Sequence, residues 1–185
     1  KEDYLDFPLD GLQPLVDAAT TWRDRALWLL LAGTGLRMSE AVNISWAQID
    51  ISGQRVFVED PYALRFSKDL PQAFRHRFKG RATSETVFIP QLKQPFFDAL
   101  EKYARLEYIA GVSHDLVFQR LHPPRAGTPM RDMSDTSRIE GFRRAVARAG
   151  VVHPHPNGYW TPHSLRHLYG VFMLNYLPVP GGFGL

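Results

Sequence analysis

Residues 26–40 read Ala-Leu-Trp-Leu-Leu-Leu-Ala-Gly-Thr-Gly-Leu-Arg-Met-Ser-Glu. The apolar run at 26–32 is too short to cross a bilayer, so it predicts a helix buried in a protein core. Gly33 and Gly35 are expected to end that helix, because glycine accepts the backbone that closes one. Arg37 then follows a Gly-bounded turn, with Ser39 and Glu40 in the first turn of a short helix expected over residues 38–44. A guanidinium on such a turn, beside backbone N–H groups, suits an oxyanion. Taken alone, an arginine after a helix-ending glycine is more often an ordinary surface residue.

A second short segment, residues 163–167 (His-Ser-Leu-Arg-His), opens a later helix with Thr161 as cap and Pro162 at the first helical position. His163 and Arg166 are three apart and share a face, while Leu165, Leu168 and Phe172 can anchor the other side in a core. Two guanidiniums and an imidazole brought together can grip a phosphodiester and neutralise charge building on it. His163 and His167 also have the spacing of a zinc pair. Ser164 stands where the metalloprotease motif carries glutamate, however, and no metal is expected.

Around these segments the pattern is mostly helical. Helices are expected over residues 10–19, capped by Asp10, and over 22–32, 91–109 and 134–149, the last ending at Gly150. Residues 55–58 and 86–89 read as strands. Between them residues 59–85 hold Pro61, Pro71 and a basic cluster: Arg65, Lys68, Arg75, His76, Arg77, Lys79 and Arg81. That is too long for a plain hairpin loop, so it is an insertion or a functional element. Arg138, Arg143, Arg144 and Arg148 stud the 134–149 helix; a solvated basic face is the plain alternative for either cluster. The expected class is mainly α with a small antiparallel β-sheet, α+β.

A chain of 185 residues, 44% hydrophobic and 22% charged, has the composition of one globular domain. With no cysteine it has no disulfide, no thiolate catalysis and no cysteine zinc site. No secretory signal opens it, so a cytoplasmic location is expected. The net charge of +3 permits a polyanionic partner without requiring one.

Together, the two arginine segments resemble the catalytic domain of the tyrosine recombinases, the phage integrase family. Residues 34–40 match the family's T-G-L-R-x-S-E setting, and residues 163–167 match its H-x-L-R-H motif. The family's hairpin lysine, set in G-K-G-x-K-x-R-x-V-P, finds its nearest match in Phe78-Lys79-Gly80-Arg81, with Val87 to Pro90 following; Lys68 competes for the position. The resemblance covers nearly the whole chain. It implies site-specific cutting and rejoining of DNA strands through a covalent 3′-phosphotyrosine. Arg37 and Arg166 would hold the non-bridging oxygens, Lys79 would protonate the leaving 5′ oxygen, and His163 would hydrogen-bond the phosphate or assist proton transfer. Glu40 would orient Arg37. No cofactor is implied, and the partners implied are double-stranded DNA and, on it, further copies forming a homo-tetramer, with no membrane.

The same resemblance places the nucleophilic tyrosine well past the second arginine, beyond Leu185. Tyr169 and Tyr176 are too close to Arg166 and are expected to be core or helix-end aromatics. Residues 1–185 are thus expected to be one catalytic domain, incomplete at its C-terminus, lacking the family's N-terminal DNA-clamping domain and inactive in cleavage by itself. Residues 178–185 would be the linker onward. A type IB topoisomerase or telomere resolvase, a non-catalytic DNA-binding relative and a helical protein–protein scaffold are the competing readings. In the scaffold, Arg37, Lys79, His163 and Arg166 would have no reason to converge.

Overall fold

The computed structural model describes residues 5–58, 85–180 and 182–184. Its axis is helix α2 (Trp22–Thr34), in which every residue from Ala26 to Leu31 is buried. A helix apolar on all sides must be covered on all sides. Its start is fixed twice. The Thr21 hydroxyl accepts from the Asp24 N–H at 3.1 Å, and the Glu107 carboxylate accepts from the N–H groups of Trp22 and Arg23 at 2.8 and 3.0 Å. These first amides have no partner within a helix, and a carboxylate there also faces the positive end of its dipole. At the other end Gly33 stays helical, against expectation, and only Gly35 turns left-handed, with φ 62°. Gly33 serves packing instead, because the Phe88 ring lies 3.0 Å from where a Cβ would stand.

Helix α1 (Leu9–Asp17) starts one residue before Asp10, which therefore sits in the first turn and not at the cap. Helix α3 (Met38–Ala41) is a single short turn. Helix α4 (Pro90–Leu106) packs along α2 and buries Phe96, Phe97, Leu100 and Tyr103. The Tyr103 hydroxyl donates to the Val117 carbonyl at 2.9 Å and accepts from the Gln119 N–H at 3.1 Å, fastening the apolar run at 116–118 to α4. Helix α5 (Asp135–Ala149) is capped by Ser134 and closed by left-handed Gly150, as its sequence predicts. It packs on α1. Helix α6 (Pro162–Asn175) packs on α2 and is tied to the N-terminal segment by a 3.1 Å bond from Phe7 N–H to the Ser164 carbonyl. Phe7, Trp28, Phe142 and Trp160 meet edge to face beneath these helices. No helix among the described residues is long and apolar enough to cross a membrane.

Among the described residues strands are few and short. β1 (Ile49–Asp50) pairs antiparallel with β2 (Arg55–Val56), Ile49 opposite Val56. The turn between them closes on Asp50, whose carboxylate accepts from the Gly53 N–H at 2.8 Å, the Ser52 hydroxyl at 2.9 Å and the Arg55 guanidinium at 2.7 Å. These bonds, the Gly53 amide first, hold the carboxyl down at about 2 against an ordinary 3.8. A depressed carboxyl stabilises the fold above its ordinary value and loses that contribution as pH falls through the folded one. The Gly53 amide resonance is therefore expected to move with a midpoint near 2 in an NMR acid titration. A midpoint near the ordinary value would mean that the turn is not held this way.

The expected strand at 86–89 is cut down to its first contacts. Phe57 and Glu85 form a single antiparallel bridge, and both the N–H and the hydroxyl of Thr86 donate to the Val56 carbonyl at 2.9 and 3.0 Å. Phe88 and Ile89 then leave the ladder for the core, and Ile89 N–H bonds to the Gly33 carbonyl at 2.7 Å. Burying a phenylalanine against α2 outweighs two more ladder bonds. After α6 the chain makes a hairpin, β3 (Pro178–Val179) with β4 (Gly182–Phe183), where the sequence suggests a linker.

Candidate active site

The end of α2 and the start of α6 build one site. Past left-handed Gly35, Arg37 takes the cap position of α3 in extended geometry. The Glu40 carboxylate accepts from the Arg37 backbone N–H at 2.8 Å and from its guanidinium at 3.1 Å. The Glu40 side chain is 0% exposed and that of Arg37 is 32% exposed. The carboxylate thus belongs to the interior and holds the arginine, while the guanidinium keeps an open edge for a ligand. The expected role of Glu40 as the orienting partner of Arg37 agrees with this geometry.

Arg166 reaches the same turn from the other helix. Its guanidinium donates to the carbonyl of Gly35, two residues before Arg37. Thr161 caps α6 and Pro162 opens it, with the Ser164 hydroxyl accepting from the Thr161 N–H at 3.4 Å. Leu165, Leu168 and Met173 are buried, so the helix cannot roll. One turn past Arg166, the Tyr169 ring lies on Gly35, 2.3 Å from the place of a Cβ. The Tyr169 hydroxyl donates to the Val87 carbonyl at 3.0 Å. Tyr169 is therefore a packing residue against the turn, and Tyr176 is the exposed cap at the end of α6.

His163 stands on the first turn of α6, with its ring edge to face on that of His167, centroids 4.5 Å apart. Its ordinary value is lowered, first by partial burial of the ring and then by the charges of His167, Arg166 and Arg37. The charges that bear on the ring include those of Arg166, anchored on the Gly35 carbonyl, and of Arg37, two residues after that glycine. The imidazole stays neutral at pH 7, able to donate one N–H and accept at the other nitrogen. This arrangement offers cationic forks and a neutral ring to one anion.

Lys79, the expected fourth member, and its competitor Lys68 lie outside the described residues. The flanks of that stretch are placed: Phe57 bridges Glu85, and Val87 is bonded to Tyr169 beside the site.

Two features escape a reading of the sequence. The four arginines of α5 look alike there but part company in space. Arg138 is buried and donates to the carbonyls of Met130, Arg131 and Met133. Arg148 latches onto the Ala18 carbonyl at 3.0 Å, and Arg143 lies over the Tyr159 ring at 4.3 Å. Arg144, with Arg138 and Arg148, also lines a groove of about 600 Å³ between α2, α5 and the loop at 120–134, which holds Arg120, His122 and Arg125 and reaches Met38 beside the site. Arg120 and Arg125 are separated from one another and from α5 in sequence, so nothing local announces the groove.

Known proteins agree with this picture. The chain is 27% identical over 154 residues to the tyrosine recombinase XerC of Staphylococcus carnosus (strain TM300), covering 83% of this chain and 40% of that protein. It is 30% identical over 166 residues to an integrase/recombinase of Escherichia coli, covering 78% of this chain and 44% of that protein. It therefore spans less than half the length of these curated relatives. Among solved structures, XerA recombinase superposes with a TM-score of 0.62 at 20% identity, over 89% of this chain and 48% of that one. The Tn1549 transposon integrase (residues 82–397), solved with circular intermediate DNA, gives 0.57 at 14% identity, over 91% of this chain and 52% of that one. At such identities these two speak for the fold. The phage integrase family itself matches residues 7–176, nearly the whole chain. With its two arginine segments folded onto one turn, this chain belongs to the phage integrase family.

Proposed function

We propose that this chain is the catalytic core of a site-specific DNA recombinase that cuts and rejoins strands through a covalent 3′-phosphotyrosine. The observation that carries the reading is the bond from Arg166 to the Gly35 carbonyl, which brings the second arginine to the turn bearing the first. In this mechanism the two guanidiniums hold the non-bridging oxygens of the scissile phosphate and stabilise the charge of the pentacovalent transition state. Neutral His163 hydrogen-bonds the same phosphate. A tyrosine oxygen attacks phosphorus, the bond to the 5′ oxygen breaks, and Lys79 supplies the proton that oxygen takes up. A 5′ hydroxyl then attacks the phosphotyrosine, releases the tyrosine and restores the backbone. On this reading Tyr169 is not the nucleophile, since it is committed to the Gly35 turn and to Val87. Four copies acting on two duplexes complete the exchange. The groove lined by Arg120, Arg125 and Arg144 would take the backbone next to the site. Support for a DNA substrate comes also from XerH recombinase, solved bound to its difH substrate.

Two measurements test the reading. Affinity for duplex DNA should fall with salt at a log–log slope of about −0.9 per phosphate contact, so roughly −4 to −5 for five arginine contacts. A flat salt response would remove DNA as the partner. Duplexes selected for binding from random sequence, then nicked to trap the intermediate, should yield a covalent adduct on a tyrosine of the full-length protein. An adduct on Tyr169 or Tyr176, or none with any selected duplex, would overturn the mechanism.

A further inference from the structure

We infer that His167 is a positioning residue, whose ring sets the orientation of the His163 imidazole for its work on the phosphate. The inference deepens the recombinase reading and depends on it only for the cleavage measurement below.

The argument starts from the helix. Residues four apart lie one above the other, and side chains on a helix lean toward its N-terminus, so the ring of residue 167 covers the space below residue 163. His163 is exposed, and an exposed imidazole on a first helical turn samples several rotamers. Here it is not alone. The His167 ring meets it at 84° with centroids 4.5 Å apart, an edge-to-face seat that removes part of that freedom. His167 is itself half-buried, with Nε2 shielded from solvent, so its ring has little room to move away. It sits one turn further along α6 than His163 and is less exposed.

The second part is electrostatic. Among the described residues, the groups whose charge bears on His163 are His167 and Arg166 from α6 and Arg37 from the turn after α2. The two arginines are fixed charges and are held elsewhere, on Glu40 and on Gly35. Of these described neighbours, His167 is the one whose ring touches that of His163. Two imidazoles in contact resist double protonation, so a proton on either raises the cost of a proton on the other.

The experiment uses this chain for the first readout and the full-length protein for the second. NMR of the ring resonances gives the titration and mobility of His163 in the wild type, His167→Phe and His167→Ala. With phenylalanine the ring contact stays and the charge goes, so His163 should titrate higher while remaining restricted. With alanine it should titrate closer to the ordinary 6.5 and become mobile. Trapping of the covalent adduct should slow about tenfold in His167→Ala, a fraction of the 10²–10⁴ that a positioned proton-transfer or hydrogen-bonding group supplies. Phenylalanine should recover most of that loss, with DNA affinity unchanged throughout. An unaltered His163 titration and mobility in His167→Ala overturns the inference, whatever the cleavage rate. A cleavage loss not rescued by phenylalanine, with His163 still restricted, also overturns it. Should the alanine variant fail to fold, the phenylalanine variant decides by its titration and its mobility. If wild-type protein cleaves no selected duplex, the recombinase reading falls and the NMR result alone judges the positioning of His163.

Discussion

Replacing Gly35 by alanine is expected to lower the melting temperature by roughly 4–20 °C and to dislodge the Arg166 guanidinium from its turn. Two costs combine. A residue with a Cβ in the left-handed region costs about 1–2 kcal/mol, and φ at Gly35 is 62°. The new methyl would also stand 2.3 Å from Cδ1 of Tyr169, and forced overlap in a packed region costs about 1–3 kcal/mol. Each kcal/mol moves the melting point of a domain of this size by about 2–4 °C. Neither the turn nor α6 can yield cheaply, because the carbonyl of Gly35 is the anchor of Arg166. Gly141 is the control: nothing lies within 4 Å of its Cβ position and it sits inside α5. Alanine there should stabilise by about 0.5–1 kcal/mol. Calorimetry of the two variants separates a special turn from a general intolerance of alanine, and equal melting points would remove the strain argument.

The second large effect is on chemistry. In the full-length protein, Arg166→Lys should reduce adduct formation by about 10²–10³ while the melting point moves little, because losing one preorganised donor to a developing oxyanion has that cost. Lysine keeps the charge but not the fork, so it cannot serve the Gly35 carbonyl and a phosphate oxygen together. DNA affinity should change modestly, with the salt slope reduced by about 0.9 at most. Arg166→Ala should combine the same catalytic loss with some destabilisation, since the Gly35 carbonyl then loses its donor. A lysine variant that cleaves at the wild-type rate would place Arg166 in the fold and outside the reaction.

Much of this was legible in the sequence where the signal is local. Thr161-Pro162 opens α6, Ser134 and Gly150 bound α5, and Gly35 closes α2, because caps and left-handed glycines depend on the residues beside them. The settings of Arg37, His163 and Arg166 are local as well, whereas the bond that brings Arg166 to the Gly35 turn joins distant parts of the chain. The rest depends on partners far away in the chain. Gly33 and Gly35 read alike, yet one takes the left-handed turn and the other makes room for Phe88. The strand at 86–89 failed because a competing site for Phe88 existed on α2. The arginines of α5 could not be sorted, since the carbonyls that capture Arg138 and Arg148 come from residues 130–133 and from Ala18. The groove with Arg120 and Arg125 is likewise a product of tertiary structure.

The Glu107 cap on α2 and the Arg166 bond to Gly35 also dictate an order of assembly. The first joins residues 84 and 85 apart and the second joins residues 131 apart. A chain emerging from the ribosome can dock α4 and complete the start of α2 long before α6 exists, and closing the longer loop comes later. Arg37 is therefore synthesised early but meets Arg166 last. A nascent chain stalled before Thr161 thus holds the turn that bears Arg37 without the Arg166 guanidinium that fastens onto it.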